Sequence, residues 1–568
     1  MLILKKIPAV HAIVCPDTTG FPPRSIPASE SGFMRKSRQV PCRDRIQSPS
    51  VMAVWRAMIR SRAISSLNSS ASCWIVARIF GANERTRDLR DDRDAGDPLR
   101  PVHDDMDDAT CLRDLDRFRE RPFRAGYISH SAIPIRIPSR TICGDGTFVH
   151  ENPGAPETMT PTLIEQAQQG KLPSQVYAVA AQENISPALV REHVASGSIV
   201  IMQRDGRWTG IGKGLRTKIN VNLGTSSAKA YPDDEIRKAQ IAEKFGADTI
   251  SDLSMGGDIG TIRKTIFSST ILPITTVPIY QTVSEIGLKK MTAEDILDTV
   301  KAHAEEGMSS LVIHTVTSAM LAQIRRRKRI LGVVSKGGSI TSAFMALNEC
   351  ENPFIEHYDA ILRICRKHDI VLSLGNTARS GCIHDNRDAL QRQEEQQNSL
   401  LAAKAHAAGV QVIIEGAGGH IRLDRIAPLI RRYKQMADFP LFVAGPLPTD
   451  IGAGYDHIVG CAGASTASAA GADYLCYITP AEHLGLPTAD AVKEGLIAFR
   501  IAAHIGDTVK YGTMAQDRSV ALLRAALDRE GQIRCAIDPE RARSLSDGAP
   551  ECTMCGEFCA IRIMQELR

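Results

Sequence analysis

The sequence has little net charge for its length: 69 Lys and Arg against 64 Asp and Glu leave +5 over 568 residues. A charge that small gives no basic surface of the kind that holds nucleic acid. No apolar run approaches the roughly 20 residues that cross a bilayer, and Met1-Leu-Ile-Leu-Lys-Lys6 is too short an apolar start for a secretory signal. The 14 cysteines lack the regular spacing of a disulfide framework, which fits a reducing, cytoplasmic compartment where thiols serve packing or metals. Residues 1–158 lack even the composition of the rest of the chain. Lys5, Lys6 and Lys36 are their only lysines among many arginines, and apolar residues keep neither helical nor strand period there, apart from a patch at Val51–Phe80. This atypical segment is expected to be a disordered or targeting extension, or upstream sequence translated in front of a true start at Met159. The last is preferred, and the five cysteines of the segment carry no functional weight.

A regular pattern begins at Met159. Residues 159–223 read as a small α+β lead-in, helical at Leu163–Gln169 and Leu189–Ala195 and extended at Ser198–Gln203. Short apolar runs then alternate with amphipathic stretches. The runs are Ile219–Leu223, Thr249–Leu253, Ile274–Ile279, Ser310–His314, Ile330–Val334, Ile370–Leu374, Val410–Ile414, Leu441–Ala444 and Tyr474–Ile478. The helical stretches include Asp233–Phe245, Ala293–Glu306, Ile355–His368, Glu394–Ala408 and Leu423–Met436. This alternation is the mark of a parallel α/β sheet, and its repeat number predicts a (β/α)8 barrel over residues 224–540, with a doubly wound sheet as the alternative. Nine runs are one too many for the barrel, so one lies outside it or is not a strand. Residues 541–568 form a tail after it.

Polar residues recur where these strands end. Asn222, His314, Ser335-Lys336-Gly337-Gly338, Asn376, Glu415 and Tyr477 all fall at or just past C-terminal strand ends, the face on which barrel enzymes keep their active sites. Ser335–Ser339 offers backbone N–H groups and a cation, a cradle for phosphate or simply a turn. His420 follows Glu415-Gly-Ala-Gly-Gly, and His483 follows Thr479-Pro-Ala-Glu482. A lone histidine is more often structural than a ligand. Two in Gly/Pro loops at one barrel end could share a divalent metal, with Glu415 or Glu482 nearby and His457 as a third candidate. In the tail, Cys552, Cys555 and Cys559 stand in C-x2-C-x3-C spacing. Three thiolates are one short of a four-cysteine zinc site or an ordinary cluster. A [4Fe–4S] cluster on three thiolates leaves one iron open to a ligand; a zinc knuckle completed from afar, on a zinc-dependent barrel hydrolase or aldolase, is the alternative.

Taken together the motifs identify a family. Asn220-Val-Asn222-Leu-Gly, Asp252-Leu-Ser, Thr275-Thr-Val-Pro-Ile-Tyr280-Gln, Val334-Ser-Lys-Gly-Gly-Ser339, Gly445-Pro-Leu-Pro-Thr-Asp-Ile, Gly454-Tyr-Asp-His457, Thr479-Pro-Ala-Glu-His-Leu-Gly-Leu-Pro487 and the closing Cys-Thr-Met-Cys-Gly resemble the ThiC family, from about residue 160 to the end. These are non-standard radical S-adenosylmethionine (SAM) enzymes. The resemblance implies a barrel with a cluster-binding tail, a homodimer, 5-aminoimidazole ribotide as substrate, and an electron donor such as flavodoxin or ferredoxin. It implies that Cys552, Cys555 and Cys559 hold a [4Fe–4S] cluster whose open iron takes SAM. It further implies that Asn222, Tyr280, His314, Ser335, Lys336, Gly337, Arg379 and Glu415 contact the ribotide, and that His420 and His483 hold zinc or another divalent metal.

The departures from the family pattern cluster at the reacting end of the implied pocket. Ser251 stands where the pyrimidine-forming members carry Met, and Gly375-Asn376-Thr377-Ala378-Arg379 replaces Gly-Asp-Gly-Leu-Arg. The loop Glu415-Gly-Ala-Gly-Gly-His420 is one residue longer than Glu-Gly-Pro-Gly-His, Phe442 replaces Tyr, and the last cysteine spacing is x3 rather than x4. Asn for Asp removes a base and a charge; Phe for Tyr removes a proton donor. The expectation is a retained substrate and a changed product, as in the sister group of 5-hydroxybenzimidazole synthases (BzaF type), which make the lower-ligand base of anaerobic cobamides. Phosphomethylpyrimidine synthesis for thiamin, from the same substrate and cofactors, is the alternative.

Overall fold

The computed structural model describes residues 160–326, 329–512, 514–546, 548–549 and 552–567. They belong to a compact unit, Asp145–Arg568. The expected extension over residues 1–158 lies outside the described residues.

The lead-in starts with helices Leu163–Gln168, Ser174–Glu183 and Pro187–Ala195. Thr162 caps the first, with the Glu165 side chain returning to the Thr162 N–H. Next comes an antiparallel hairpin, β1 (Ile199–Arg204) with β2 (Arg207–Gly212), turning through Asp205-Gly206 with φ +47° and +77°. Asp-Gly is the dipeptide that a two-residue hairpin turn with both φ positive favours. The Ser174–Glu183 helix and β2 were not foreseen. Val176, Val179 and Ala180 do sit at helical spacing, but Gly210 and Gly212 blur the strand pattern of β2.

This hairpin closes the bottom of a barrel. Val200, Met202 and Ile211 pack with Val371, Ile413 and Tyr474, and the Ile201 N–H donates to Gln411 Oε1 at 2.7 Å. The barrel strands are β3 (Lys218–Leu223), β4 (Thr249–Asp252), β5 (Ile274–Thr276), β6 (Ser310–His314), β7 (Val371–Gly375), β8 (Val412–Glu415), β9 (Leu441–Ala444) and β10 (Tyr474–Cys476). All neighbours pair in parallel, and β10 closes on β3. The expected (β/α)8 barrel is therefore what the chain forms.

Eight of the nine apolar runs became strands; Ile330–Val334 did not. Its first two N–H groups donate to the Asp385 carboxylate instead of to a neighbouring strand, at 2.8 and 2.9 Å. Ile330 and Leu331 are 68 % and 53 % exposed, where a barrel strand would bury them. Among the helices, the expected Ile355–His368 breaks at His357 into Pro353–Glu356 and Tyr358–His368, while Pro232–Lys244, Ala293–Glu305, Ala389–Ala407 and Leu423–Met436 overlap their expected ranges. No helix among the described residues is long and apolar enough to cross a membrane.

The two faces of each strand explain where the site lies. On β3, Ile219, Val221 and Leu223 join the core shared with Ala239, Ala242 and Phe245 of the following helix segment; each fully buried side chain of this size contributes about 1.5–3 kcal/mol. The alternate residues Asn220 and Asn222 point into the barrel. Inside, Asn220 Oδ1 accepts from Thr249 Oγ1 and Ser251 Oγ at 3.0 Å each, and from Tyr474 OH at 3.3 Å. The interior thus runs from an apolar plug at the base to a polar layer at the C-terminal strand ends.

Candidate active site

A cavity of about 390 Å³ opens at the C-terminal strand ends. Asn222, Ser251, His314, Glu415 and Phe442 enter it from the strands, Tyr280 from the helix after β5, and Asn376, Arg379, His420 and His483 from the loops. With Tyr477 and Glu482, twelve of the residues singled out from the sequence meet there. Ser335, Lys336, Gly337, Thr377, Ala378 and the three tail cysteines do not line it.

Two of those absentees shape the cavity from behind. Ser335 caps helix Lys336–Asn348, its Oγ accepting the Gly338 N–H at 3.2 Å. Gly337 gives room to His314: a Cβ there would lie 2.2 Å from the ring, and one at Gly375 would lie 2.8 Å from it. The His314 ring packs against these two glycines, buried, with Nδ1 unpartnered. Burial and the Arg379 charge push its pKa down to about 3, so it is a neutral imidazole offering one free nitrogen. Arg379 influences Tyr280, His314 and Glu415 electrostatically but forms no direct hydrogen bond or ion pair among the described residues. A half-buried guanidinium without a partner is suited to a phosphate or carboxylate. Burial raises the Glu415 carboxyl above its ordinary range, although Ser373 Oγ donates to it at 2.9 Å.

The loop that carries Arg379 hangs on a residue the sequence reading missed as a site residue. Glu394, fully buried, accepts from Thr377 N–H at 2.6 Å, Asn376 Nδ2 at 2.7 Å and Ala378 N–H at 2.9 Å. Burial pushes its pKa up to about 7 against those three donors. Asn376 therefore serves Glu394 with its amide nitrogen and leaves its Oδ1 unpartnered. An Asp at 376 would set two carboxylates against each other. At the cavity floor Phe442 stacks on Tyr474, centroids 4.0 Å apart, and Cys476, also missed, accepts from Asn222 Nδ2 at 3.1 Å.

His420 and His483 face each other through their Nε2 atoms, 3.3 Å apart. Two zinc–nitrogen bonds of about 2.0–2.1 Å at a tetrahedral angle hold their nitrogens about 3.3 Å apart. Each Nδ1 is engaged by a carboxylate, Asp450 at 2.7 Å and Asp456 at 3.1 Å, the outer contact that fixes a ligating imidazole. Burial lowers the His420 pKa, which keeps the ring neutral and able to ligate. The residues fit a divalent metal. His457 is not among the cavity-lining residues; its neighbour Asp456, in the same Gly-Tyr-Asp-His motif, makes the contact instead.

Cys552 and Cys555 are exposed and Cys559 half-buried, all free thiols around the short turn Gly556–Phe558 that leads into helix Ala560–Glu566. Three accessible thiols on one turn are the donor set an iron–sulfur cluster takes.

The fold and the site define a barrel enzyme with a metal-competent histidine pair, an anion-seeking arginine and a thiol-rich tail. Residues 162–566 match the radical SAM ThiC family, and the chain belongs to it. Membership in a radical SAM family implies SAM and an iron–sulfur cluster, which together supply a carbon-centred radical when bound. Relatives include the phosphomethylpyrimidine synthases of Dehalococcoides mccartyi strain BAV1 (42% identical, covering 71% of this chain and 98% of the relative), Geobacter metallireducens (42%, 72% and 98%) and Pyrobaculum aerophilum (40%, 72% and 99%).

Proposed function

We propose that this chain is a phosphomethylpyrimidine synthase, using SAM and a [4Fe–4S] cluster on Cys552, Cys555 and Cys559 to rearrange 5-aminoimidazole ribotide. The likeness over almost the whole length of the pyrimidine-forming relatives carries this reading, and it displaces the benzimidazole product favoured on sequence grounds. In it, His420 and His483 hold zinc beside the ribotide. Arg379 and the N-terminus of helix Lys336–Asn348 take its anionic end. A second cavity of about 320 Å³, lined by Lys336 and sharing Asn222, Leu253, Tyr477 and Glu482 with the first, supports that placement. The neutral His314 nitrogen and the Glu415 carboxyl orient the imidazole, and the enclosing barrel excludes water from the radical. A homodimer and a flavodoxin or ferredoxin donor belong to the same reading.

The benzimidazole product stays as a second reading because of a specific observation. Phe442 brings no hydroxyl to the cavity floor, and Asn376 spends its donor on Glu394. Anaerobic incubation of the reconstituted chain with aminoimidazole ribotide, SAM and reductant, followed by mass analysis, separates the two. The phosphorylated pyrimidine is expected. Benzimidazole alone would overturn the product but keep the substrate; a colourless protein that never cleaves SAM would overturn the radical reading itself.

A further inference from the structure

Beside the histidine pair lies a group of donors, two of which, Cys382 and His384, have no role in the proposed reaction. Among the described residues, one trio of His, Cys, Asp or Glu has donor atoms all within 4.8 Å of one another: Cys382, His384 and Asp450. Cys382 and His384 flank Ile383 on the loop after β7, and Asp450 comes from the loop after β9. The Ile383 N–H donates to both Asp450 oxygens, at 3.1 and 3.3 Å, so the carboxylate is tied to the Cys-x-His stretch itself. The cysteine is buried while His384 and Asp450 are exposed, so an ion can enter from solvent toward a protected sulfur. None of the three lines the main cavity.

From this arrangement we infer that Cys382, His384 and Asp450 form a second divalent-metal site, of zinc-type chemistry, distinct from the histidine pair. One thiolate, one neutral imidazole and one carboxylate are the ligand types that zinc takes, and three of them leave a fourth position open. Thiolate and carboxylate together offset the 2+ charge. Tetrahedral bonds of about 2.0–2.3 Å set one sulfur and two nitrogen or oxygen ligands about 3.3–3.6 Å apart, so donor atoms within 4.8 Å of one another close by at most about 1.5 Å on binding. Asp450 also holds His420 Nδ1 at 2.7 Å, which makes it the link between the two metal positions. The loop runs directly from Arg379 through Ser380 and Gly381 to Cys382, so a metal there clamps the arginine's loop to the β9 loop. The sequence hid this site because Cys382-x-His384 is too short a motif to register, and its third donor is 66 residues away from His384 along the chain.

Zinc K-edge absorption tests it on the full chain with its cluster reconstituted, loaded with zinc and freed of excess. The expected spectrum contains a sulfur neighbour at about 2.3 Å. Cys382→Ser removes that shell, and His384→Ala, a change at an exposed position, loses the same equivalent of zinc by elemental analysis. His420→Ala with His483→Ala keeps the sulfur shell while losing the other zinc. A wild-type spectrum with nitrogen and oxygen neighbours only would overturn the inference. So would a sulfur shell unchanged in Cys382→Ser, which would assign the zinc to the tail thiols.

Discussion

Replacing Gly337 by Ala probes the site through a single methyl group. The new Cβ would stand 2.2 Å from His314 Cε1 and 2.6 Å from Nδ1. Carbon atoms rest about 3.5–4.0 Å apart, so the imidazole must retreat by more than 1 Å. Gly375 also packs close to the ring, its own Cβ position only 2.8 Å from Cδ2, which limits the room for that retreat. Forcing a methyl into such packing costs about 1–3 kcal/mol, partly offset by the ~0.5–1 kcal/mol that Ala gains over Gly within a helix. A displacement of 1 Å at a substrate-orienting group costs about 100-fold in rate. Gly260 is a matched control: it too is the second residue of its helix, and its Cβ would meet only Asp258 Oδ1 at 3.7 Å. Gly337→Ala should lose about 100-fold in product formation, with Tm near or slightly below wild type, while Gly260→Ala holds both. Single-turnover product assays and thermal melts on the two variants decide it. Full activity in Gly337→Ala would refute the claim that His314 is positioned by that glycine.

Above about pH 7, where the carboxyl is ionised, Glu394→Gln should destabilise the chain by about 1–3 kcal/mol in urea titration, because all three partners of the carboxylate are donors and the new amide would turn a donor against one of them. Wild-type stability should also fall as pH rises from about 4.5 to about 7: the unfolded carboxyl ionises near its ordinary value while the native one holds its proton until about 7. Glu394→Gln should lack that slope. Asn376→Asp should be tolerated at low pH and lose stability as pH rises, since it and Glu394 would share one proton; a pH-independent melt would count against the contact. Serine at Cys552, Cys555 and Cys559 should abolish the brown colour and SAM cleavage yet leave the barrel's Tm within about 1 °C, because two of these side chains are exposed and the third half-buried.

The barrel was legible before any coordinates because its information is local. A strand in a closed parallel barrel must bury one face against helices, and runs such as Ile219–Leu223 state that in five residues. The polar strand-end residues were legible for the same reason, and so was the pairing of His420 with His483. Ile330–Val334 shows the limit: its apolar composition is that of a strand, but only Asp385, 54 residues after Leu331, decides that its N–H groups leave the ladder. The structure alone supplied Glu394, Asp450, Asp456 and Cys476, since each matters through a partner brought near by the closing of the barrel. The same closure sets His314 against Gly337 and Gly375, a contact that no stretch of sequence contains. Sequence period determined which residues face inward; the geometry of eight strands meeting at one end decided which of them touch.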